Sequence, residues 1–350
     1  MVAHTSPHIL ITRLSHLGDC IQTVPLLNAL RDAFPKAHIT WIAEPLGAQV
    51  LQDHHSLDEL MIVPKRVLRS IPAVLHWRQR LQSKAFDIAL DPQGLTKSAL
   101  LGWLSGAPTR IGFARPNGRE LSPQLNNVLV QSSAENVVDR YLELLQPLSA
   151  PTPKVRFDLK VAQRASPWVS QSTTRRLPTD QYVVMNASAG WASRMWSPER
   201  FAQVAQVLAR KWNLTSVVPW AGAAERIVAE QIVAVSDGAA QLAPPTSIAQ
   251  LAAIVEQARL YVGTDSGPLH LAVAMGTRCV SLHGTTLAAK SGPYGHGHKA
   301  VQAYYQHGSS TRRRRATNKA MQAISVDMVC AACDDVLQES AWQPPVKRAA

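Results

Sequence analysis

Leu260-Tyr-Val-Gly-Thr-Asp-Ser-Gly-Pro-Leu-His-Leu-Ala-Val-Ala274 reads as a strand, a turn of small polar residues and a helix with proline in its first turn. The first N–H groups of such a helix have no intrahelical partner, and the aligned peptide dipoles put about half a positive charge there. A phosphate seated on this end meets donors and field together, with Gly267 leaving room for close approach. Thr264, Asp265 and Ser266 also have a plainer reading, as helix caps. Three capping residues in a row before Gly-Pro favour a ligand loop. Asp265 is awkward beside a diphosphate, because two anions repel, so its carboxylate is expected to accept from backbone N–H groups or a sugar hydroxyl.

The same strand–turn–helix unit recurs on both sides of this stretch. In the second half, strands are expected at Tyr182 to Met185, Thr215 to Pro219, Leu260 to Val262 and Cys279 to Leu282. Helices are expected from Ser197 to about Leu208, after Gly222, from Ile248 to Ala258, after Ser266 and from Val326 to Leu337. The first half offers strands at Ile9 to Thr12, Ile39 to Ala43, Glu59 to Val63, Asp87 to Leu90 and Arg110 to Phe113. Between them run helical segments: one with Leu26, Leu27, Leu30 and Phe34 on one face, one near Val67 to Gln82, one from about Glu135 to Leu145. Pro25 either kinks the first helix or marks its start.

From Gln146 to about Thr179 the pattern gives way to Pro, Ser, Thr and Arg, with one extended run near Val155 to Leu159. The expectation is an α/β chain with two Rossmann-like domains, residues 1–160 and 161–325. Residues 326–350 would form a closing helix, free to pack back on the first domain, and a disordered tail after Glu339. Two such sheets facing each other would leave a cleft at their strand C-termini, where ligands of open α/β sheets bind.

A chain of 350 residues suits two cores, and its 46% apolar content is that of a globular protein. No run reaches the roughly 18 apolar residues of a membrane helix, and the start has no basic leader, so a cytoplasmic protein is expected. The excess of 36 Lys+Arg over 24 Asp+Glu, +12 in all, favours anionic partners: nucleotides, phosphorylated lipids or an acidic membrane surface. Nucleic acid is not expected, since no zinc-finger spacing, RNP signature or basic heptad helix is present. The densest cluster, Arg312-Arg-Arg-Arg315, reads as a solvated loop in preference to a lipid-phosphate contact. Cys330-Ala-Ala-Cys333 lacks two further ligands at metal spacing and reads as two cysteines on one helix face; no metal is assigned.

Two other loops carry chemistry. Arg13-Leu-Ser-His-Leu-Gly-Asp-Cys20 follows the first strand but has one glycine where a dinucleotide fingerprint needs three. Asp19 there is either a helix cap or a general base that takes the proton of an attacking hydroxyl. Asn186-Ala-Ser-Ala-Gly-Trp-Ala-Ser-Arg-Met-Trp-Ser-Pro-Glu-Arg-Phe201 carries Arg194. A departing nucleoside diphosphate needs a metal or cations, and the sequence has no Asp-x-Asp for a divalent ion. Arg194 is the natural substitute, or else a surface arginine covering an exposed Trp191 or Trp196.

Taken together, these loops resemble glycosyltransferase family 9, the lipopolysaccharide heptosyltransferases. The resemblance runs from about Ile9 to Leu337 and is carried by Ser15-His-Leu-Gly-Asp-Cys-Ile-Gln-Thr-Val-Pro25, Asp91-Pro-Gln-Gly-Leu-Thr-Lys-Ser98 and Thr264-Asp-Ser-Gly-Pro-Leu-His-Leu-Ala272. The middle stretch, with Gly112-Phe-Ala-Arg-Pro-Asn-Gly-Arg-Glu120 and Glu44, is more similar to the heptosyltransferase I branch than to II. The resemblance implies a GT-B fold and an inverting transfer of heptose from ADP-heptose to a Kdo sugar of the lipid A core, with no metal or other cofactor. It implies Asp19 as the base and Ser188, Glu225, Thr264, Asp265, Ser266, Gly267 and His270 as donor contacts, Glu225 at the ribose. Arg194 stands where the family has a lysine that stabilises the leaving diphosphate. Arg66, Arg69 and Arg119 are candidates for the acceptor's phosphates and carboxylate, and Lys65 and Lys97 lie nearby; solvated surface charge is the alternative. Peripheral contact with the inner membrane is expected. A transferase with another acceptor or donor sugar and a non-catalytic nucleotide-sugar binder remain as alternatives.

Overall fold

The computed structural model describes residues 6–151, 153–165 and 182–339. The chain divides into two compact units, Met1–Lys160 and Val161–Ala350. Residues 166–181, with Pro167 and Pro178 of the expected boundary, and the tail after Glu339 lie outside the described residues.

The first unit holds six parallel strands: β1 His8–Thr12, β2 His38–Ala43, β3 Glu59–Ile62, β4 Ile88–Leu90, β5 Thr109–Phe113 and β6 Val128–Val130. Their order is β3-β2-β1-β4-β5-β6. Ile9, Leu10, Ile11, Ile39, Trp41 and Ile42 are all buried, as continuous apolar strands are when helices cover both faces of a parallel sheet. Because the chain order reverses beside β1, the loops after β1 and β4 diverge and leave a crevice at their C-terminal ends. The helix Leu17–Ala33 follows β1 and contains Pro25, so Pro25 is interior and does not mark the start. The segment near Val67 to Gln82 splits at Ser70 into a 3₁₀ turn, Val67–Arg69, and a helix, Ile71–Gln82.

In the second unit the strands are β7 Tyr182–Asn186, β8 Thr215–Val218, β9 Ala240–Leu242, β10 Leu260–Thr264, β11 Cys279–Leu282 and β12 Lys299–Val301. The order β12-β11-β10-β7-β8-β9 is the same 3-2-1-4-5-6 arrangement, with its reversal between β7 and β10. The helix Pro198–Trp212 buries Phe201, Ala202, Val204, Ala205 and Leu208; Ser197 caps it by accepting from the Arg200 N–H, and Asn213 ends it in the left-handed conformation.

Two expectations are corrected. The closing helix, Val326–Gln338, puts Val329, Cys333, Val336 and Leu337 into the second unit's own core, because its apolar face matches the strands β11 and β12 and the helix Pro198–Trp212. Arg312 to Arg315 lie in a helix, Ser310–Arg315, where a loop was expected, since Ser309 caps the Arg312 N–H and Arg313 is hydrogen-bonded to the carbonyls of Thr285 and Gly308. The strands β6, β9 and β12 were also not anticipated.

Gly263 sits opposite Asn186 in the β7–β10 register. A Cβ there would lie 2.6 Å from the Asn186 carbonyl oxygen and 2.9 Å from the Tyr261 hydroxyl. Gly263→Ala should therefore destabilise the chain by about 1–3 kcal/mol, read as a lower urea midpoint. At Gly190 a Cβ meets nothing within 4 Å, and Gly190→Ala should leave the midpoint in place.

Candidate active site

In the second unit the candidate residues gather at the C-terminal ends of β7 and β10. Asp265 follows β10 with its side chain only 6% exposed. Its carboxylate faces Arg194 Nη1 at 3.4 Å and His270 Nε2 at 3.6 Å, and Ser291 Oγ donates to it at 3.3 Å. Burial alone would raise its pKa, but hydrogen bonding from His270 and the charge of Arg194 hold it well below the usual carboxylate range. Within the chain the partners are thus side chains and not backbone N–H groups, one of the two kinds of donor expected beside a sugar hydroxyl. A fully buried carboxylate meets the needed cations only where other loops bring them.

Arg194 ends the 3₁₀ turn Ala192–Arg194 and also donates to the Asp265 carbonyl at 3.1 Å. Its guanidinium lies 3.8 Å from the centre of the Trp191 ring, and Arg314 lies over the same ring at 4.5 Å. Arg194 thus covers Trp191, as one reading had it, and also lies against Asp265 at the end of β10. Trp196 is not exposed; it is buried and donates its indole N–H to the Ile324 carbonyl.

Asn186 at the end of β7 joins the two strand ends. Its amide donates to Ser266 Oγ at 3.1 Å and its oxygen accepts from Ser188 Oγ at 2.8 Å, while Thr264 Oγ1 donates to the Ser188 carbonyl at 2.7 Å. Ser266 begins the helix Gly267–Ala274 yet makes no side-chain cap to it. The cap reading of Ser266 therefore fails; Pro268 has no N–H and the Leu269 N–H donates to the Ser266 carbonyl at 3.2 Å, so the Gly267 N–H is the first-turn donor left for an outside acceptor. One turn on, His270 points back to Asp265. After β8, Glu225 lies in the first turn of the helix Gly222–Ala234 and accepts from the Ala221 N–H at 2.9 Å. Next to it a cavity of about 310 Å³ is lined by Trp220, Arg226, Leu242, Ala243, Pro244 and Pro245.

In the first unit, Asp19 occupies the first turn of the helix Leu17–Ala33. One carboxylate oxygen accepts from the His16 N–H at 3.0 Å and the other pairs with Arg13 Nη2 at 2.9 Å. Cap and site position coincide. Arg13 is 5% exposed and Asp19 40%. Burial would lower the Arg13 pKa, yet the facing Asp19 charge keeps it raised. Pro92 O, Tyr141 OH and the Tyr141 ring complete the arginine's cage. Lys97 bridges Ser15 Oγ and Glu44. Arg66, Arg69 and Arg119 are exposed, after β3 and β5, and no ion pair to them occurs among the described residues.

Sequence reasoning missed Arg13, Ser291, His283 and the Arg314–Trp191 contact. Arg13 directly after β1 was a readable signal; the other three depend on approach of distant segments.

Residues 74–321 match the family model of glycosyltransferase family 9 (heptosyltransferase). The chain is similar to lipopolysaccharide heptosyltransferase 1 of Pseudomonas aeruginosa, 28% identical over 298 residues that cover 82% of this chain and 81% of that one. Among solved structures it is similar to the glycosyl transferase family 9 protein of Veillonella parvula, with TM-score 0.82 and 24% identity over 97% of this chain and 99% of that one. It also matches E. coli heptosyltransferase WaaC with ADP-2-deoxy-2-fluoro heptose, with TM-score 0.73 and 22% identity over 94% and 99%. The fold expected from the sequence, α/β with two parallel sheets, is the fold of these structures.

His283, fully buried beside Ser281 and Thr286, has its pKa pushed down by burial to about 4. In the unfolded chain it titrates at its ordinary value near ~6.5. Its contribution to stability is therefore complete above about pH 6.5 and lost as pH falls towards about 4, by roughly 3 kcal/mol. Urea unfolding at about pH 7 and about pH 4.5 should show this slope, to which His54 and His298, also pushed down by burial to about 4, add, and His283→Gln should lessen it; an unchanged slope would remove His283 as a source.

Proposed function

The chain belongs to glycosyltransferase family 9, and we propose that it moves heptose from ADP-heptose onto a Kdo sugar of the lipopolysaccharide inner core, inverting the anomeric centre without a metal. The observation that carries this reading is the group formed by the buried ionised Asp265, Arg194 and the uncapped start of the helix Gly267–Ala274. It offers a diphosphate a guanidinium, the Gly267 N–H and the positive end of the helix dipole on a rigid scaffold. The ADP-heptose analogue seen with a solved relative supports the donor class.

In this reading the diphosphate sits between Arg194 and the helix start. Asp265 does not touch it but fixes the direction of Arg194 and His270. Glu225, held by the Ala221 N–H, takes a ribose hydroxyl, and the cavity beside Trp220 takes the adenine against its flat apolar wall. Ser188 and Thr264 hold the end of β7 to the end of β10 and so shape the seat.

Asp19 is the base. Its carboxylate is oriented by the buried Arg13 and by the His16 N–H. The acceptor hydroxyl turns acidic as its oxygen bonds to the oxocarbenium-like anomeric carbon, and its proton passes to Asp19. The bond from that carbon to the diphosphate oxygen breaks on the opposite face, which inverts the centre. The electron pair leaves on ADP, whose growing charge Arg194 and the helix N-terminus at Gly267 meet in place of a divalent ion. Arg66, Arg69 and Arg119 would meet the phosphates and carboxylate of a Kdo-lipid A acceptor. Among the described residues no helix is long and apolar enough to cross a membrane, and the proposed contact with the inner membrane is peripheral, on the cytoplasmic side.

A thermal-shift series should show stabilisation by ADP and more by ADP-heptose, because the shift follows affinity. Stronger stabilisation by UDP or GDP would overturn the donor. Asp19→Asn should slow turnover at least ~100-fold with donor binding nearly unchanged; near-normal turnover would sink the base. Arg194→Ala should weaken both donor binding and rate, and turnover should survive chelation of divalent ions.

A further inference from the structure

The helix Ser310–Arg315 sets four arginines side by side, and among the described residues no carboxylate pairs with any of them. Like charges at this spacing repel, and a six-residue helix has little stability of its own. Two of the four are structural. Arg313 donates to the carbonyls of Thr285 at 2.7 Å and Gly308 at 3.1 Å, and Arg314 lies on the Trp191 ring at 4.5 Å, which ties the helix to the loop of Arg194. These contacts hold Arg312 and Arg315, three residues apart and therefore on one face, exposed at a cavity of about 690 Å³. Gln306, His307 and Arg313 also line it, and no carboxylate does.

We propose that this cavity binds a phosphate monoester, as a second anion site beyond the diphosphate seat. Guanidinium forks suit phosphate oxygens bidentately, and a monoester brings close to two negative charges to a surface that has no countercharge of its own. The volume exceeds one phosphate group, so the phosphate arrives on a larger carrier, either a soluble sugar phosphate or a lipid headgroup. The site is built from elements other than those of the donor seat, and it stands whichever donor sugar the chain uses.

The test uses the full chain and vesicles of phosphatidylcholine doped with phosphatidic acid, a monoester, or with phosphatidylglycerol, a diester, at matched surface charge. Co-sedimentation should favour phosphatidic acid. The double variant Arg312→Gln, Arg315→Gln should weaken that binding roughly thirtyfold, about 1 kcal/mol for each basic side chain, with an unchanged Tm. Glycerol 3-phosphate separates the sources: if it displaces the vesicles, a soluble monoester fills the site, and if it does not while the preference persists, the lipid-borne phosphate does. Equal binding to both vesicles overturns the proposal. So does an equal loss in the charge-matched control Arg78→Gln, Arg210→Gln, which removes two exposed arginines elsewhere.

Discussion

Asp265 is an ionised carboxylate with almost no solvent around it, and that one charge dictates its surroundings. Moving such a group out of water favours its neutral form unless cations and donors replace the lost hydration. Here they come from separate segments: Arg194 from the turn after β7, His270 from the helix after β10 and Ser291 from the short helix Ala288–Ser291. Three stretches of chain are thereby fixed around the end of one strand. The constraint spreads further, because the ring that supports Arg194 on one side also carries Arg314. The basic helix is thus held to the loop of Arg194 through an indole.

What the sequence disclosed of the fold follows the strength of burial. β1, β2, β7 and β10 lie in the middle of their sheets, are covered on both faces and read as apolar runs, so their existence and nearly their limits were legible. β6, β9 and β12 are three residues long at sheet edges, with partly exposed positions, and a run that short has no period to detect. Pro25 was ambiguous for a related reason. A proline can open a helix or sit inside one, and only the packing of Leu17 to Val24 shows that the helix had already begun.

The candidate site was legible where a residue's role is local. Asp19 and Gly267 stand in first turns of helices after strands, a placement that spacing alone conveys. Arg194 was legible as a cation but not in its posture, which depends on Asp265, 71 residues away, and on Trp191 beside it. The side-chain partners of Asp265 went unread because backbone donors or a sugar hydroxyl are the ordinary recourse of a loop carboxylate. Nothing in the local sequence announces that Ser291 and His270 will converge on it.

The two units share a strand order but carry opposite polarity at its reversal. In the first, the buried member of the ion pair is a cation, Arg13, caged by a carbonyl, a phenol and an aromatic ring. A guanidinium does not give up its proton, so Arg13 stays a fixed cation beside Asp19, whose carboxylate is the exposed member of the pair. In the second, the buried member is an anion, Asp265, and the residue it presents is a guanidinium suited to a departing phosphate. Which sign lies inside decides which chemistry lies outside. Under the proposed reaction, exchanging the two residues of either pair would preserve an ion pair and abolish turnover, because Asp19 and Arg194 are the members less buried than their partners.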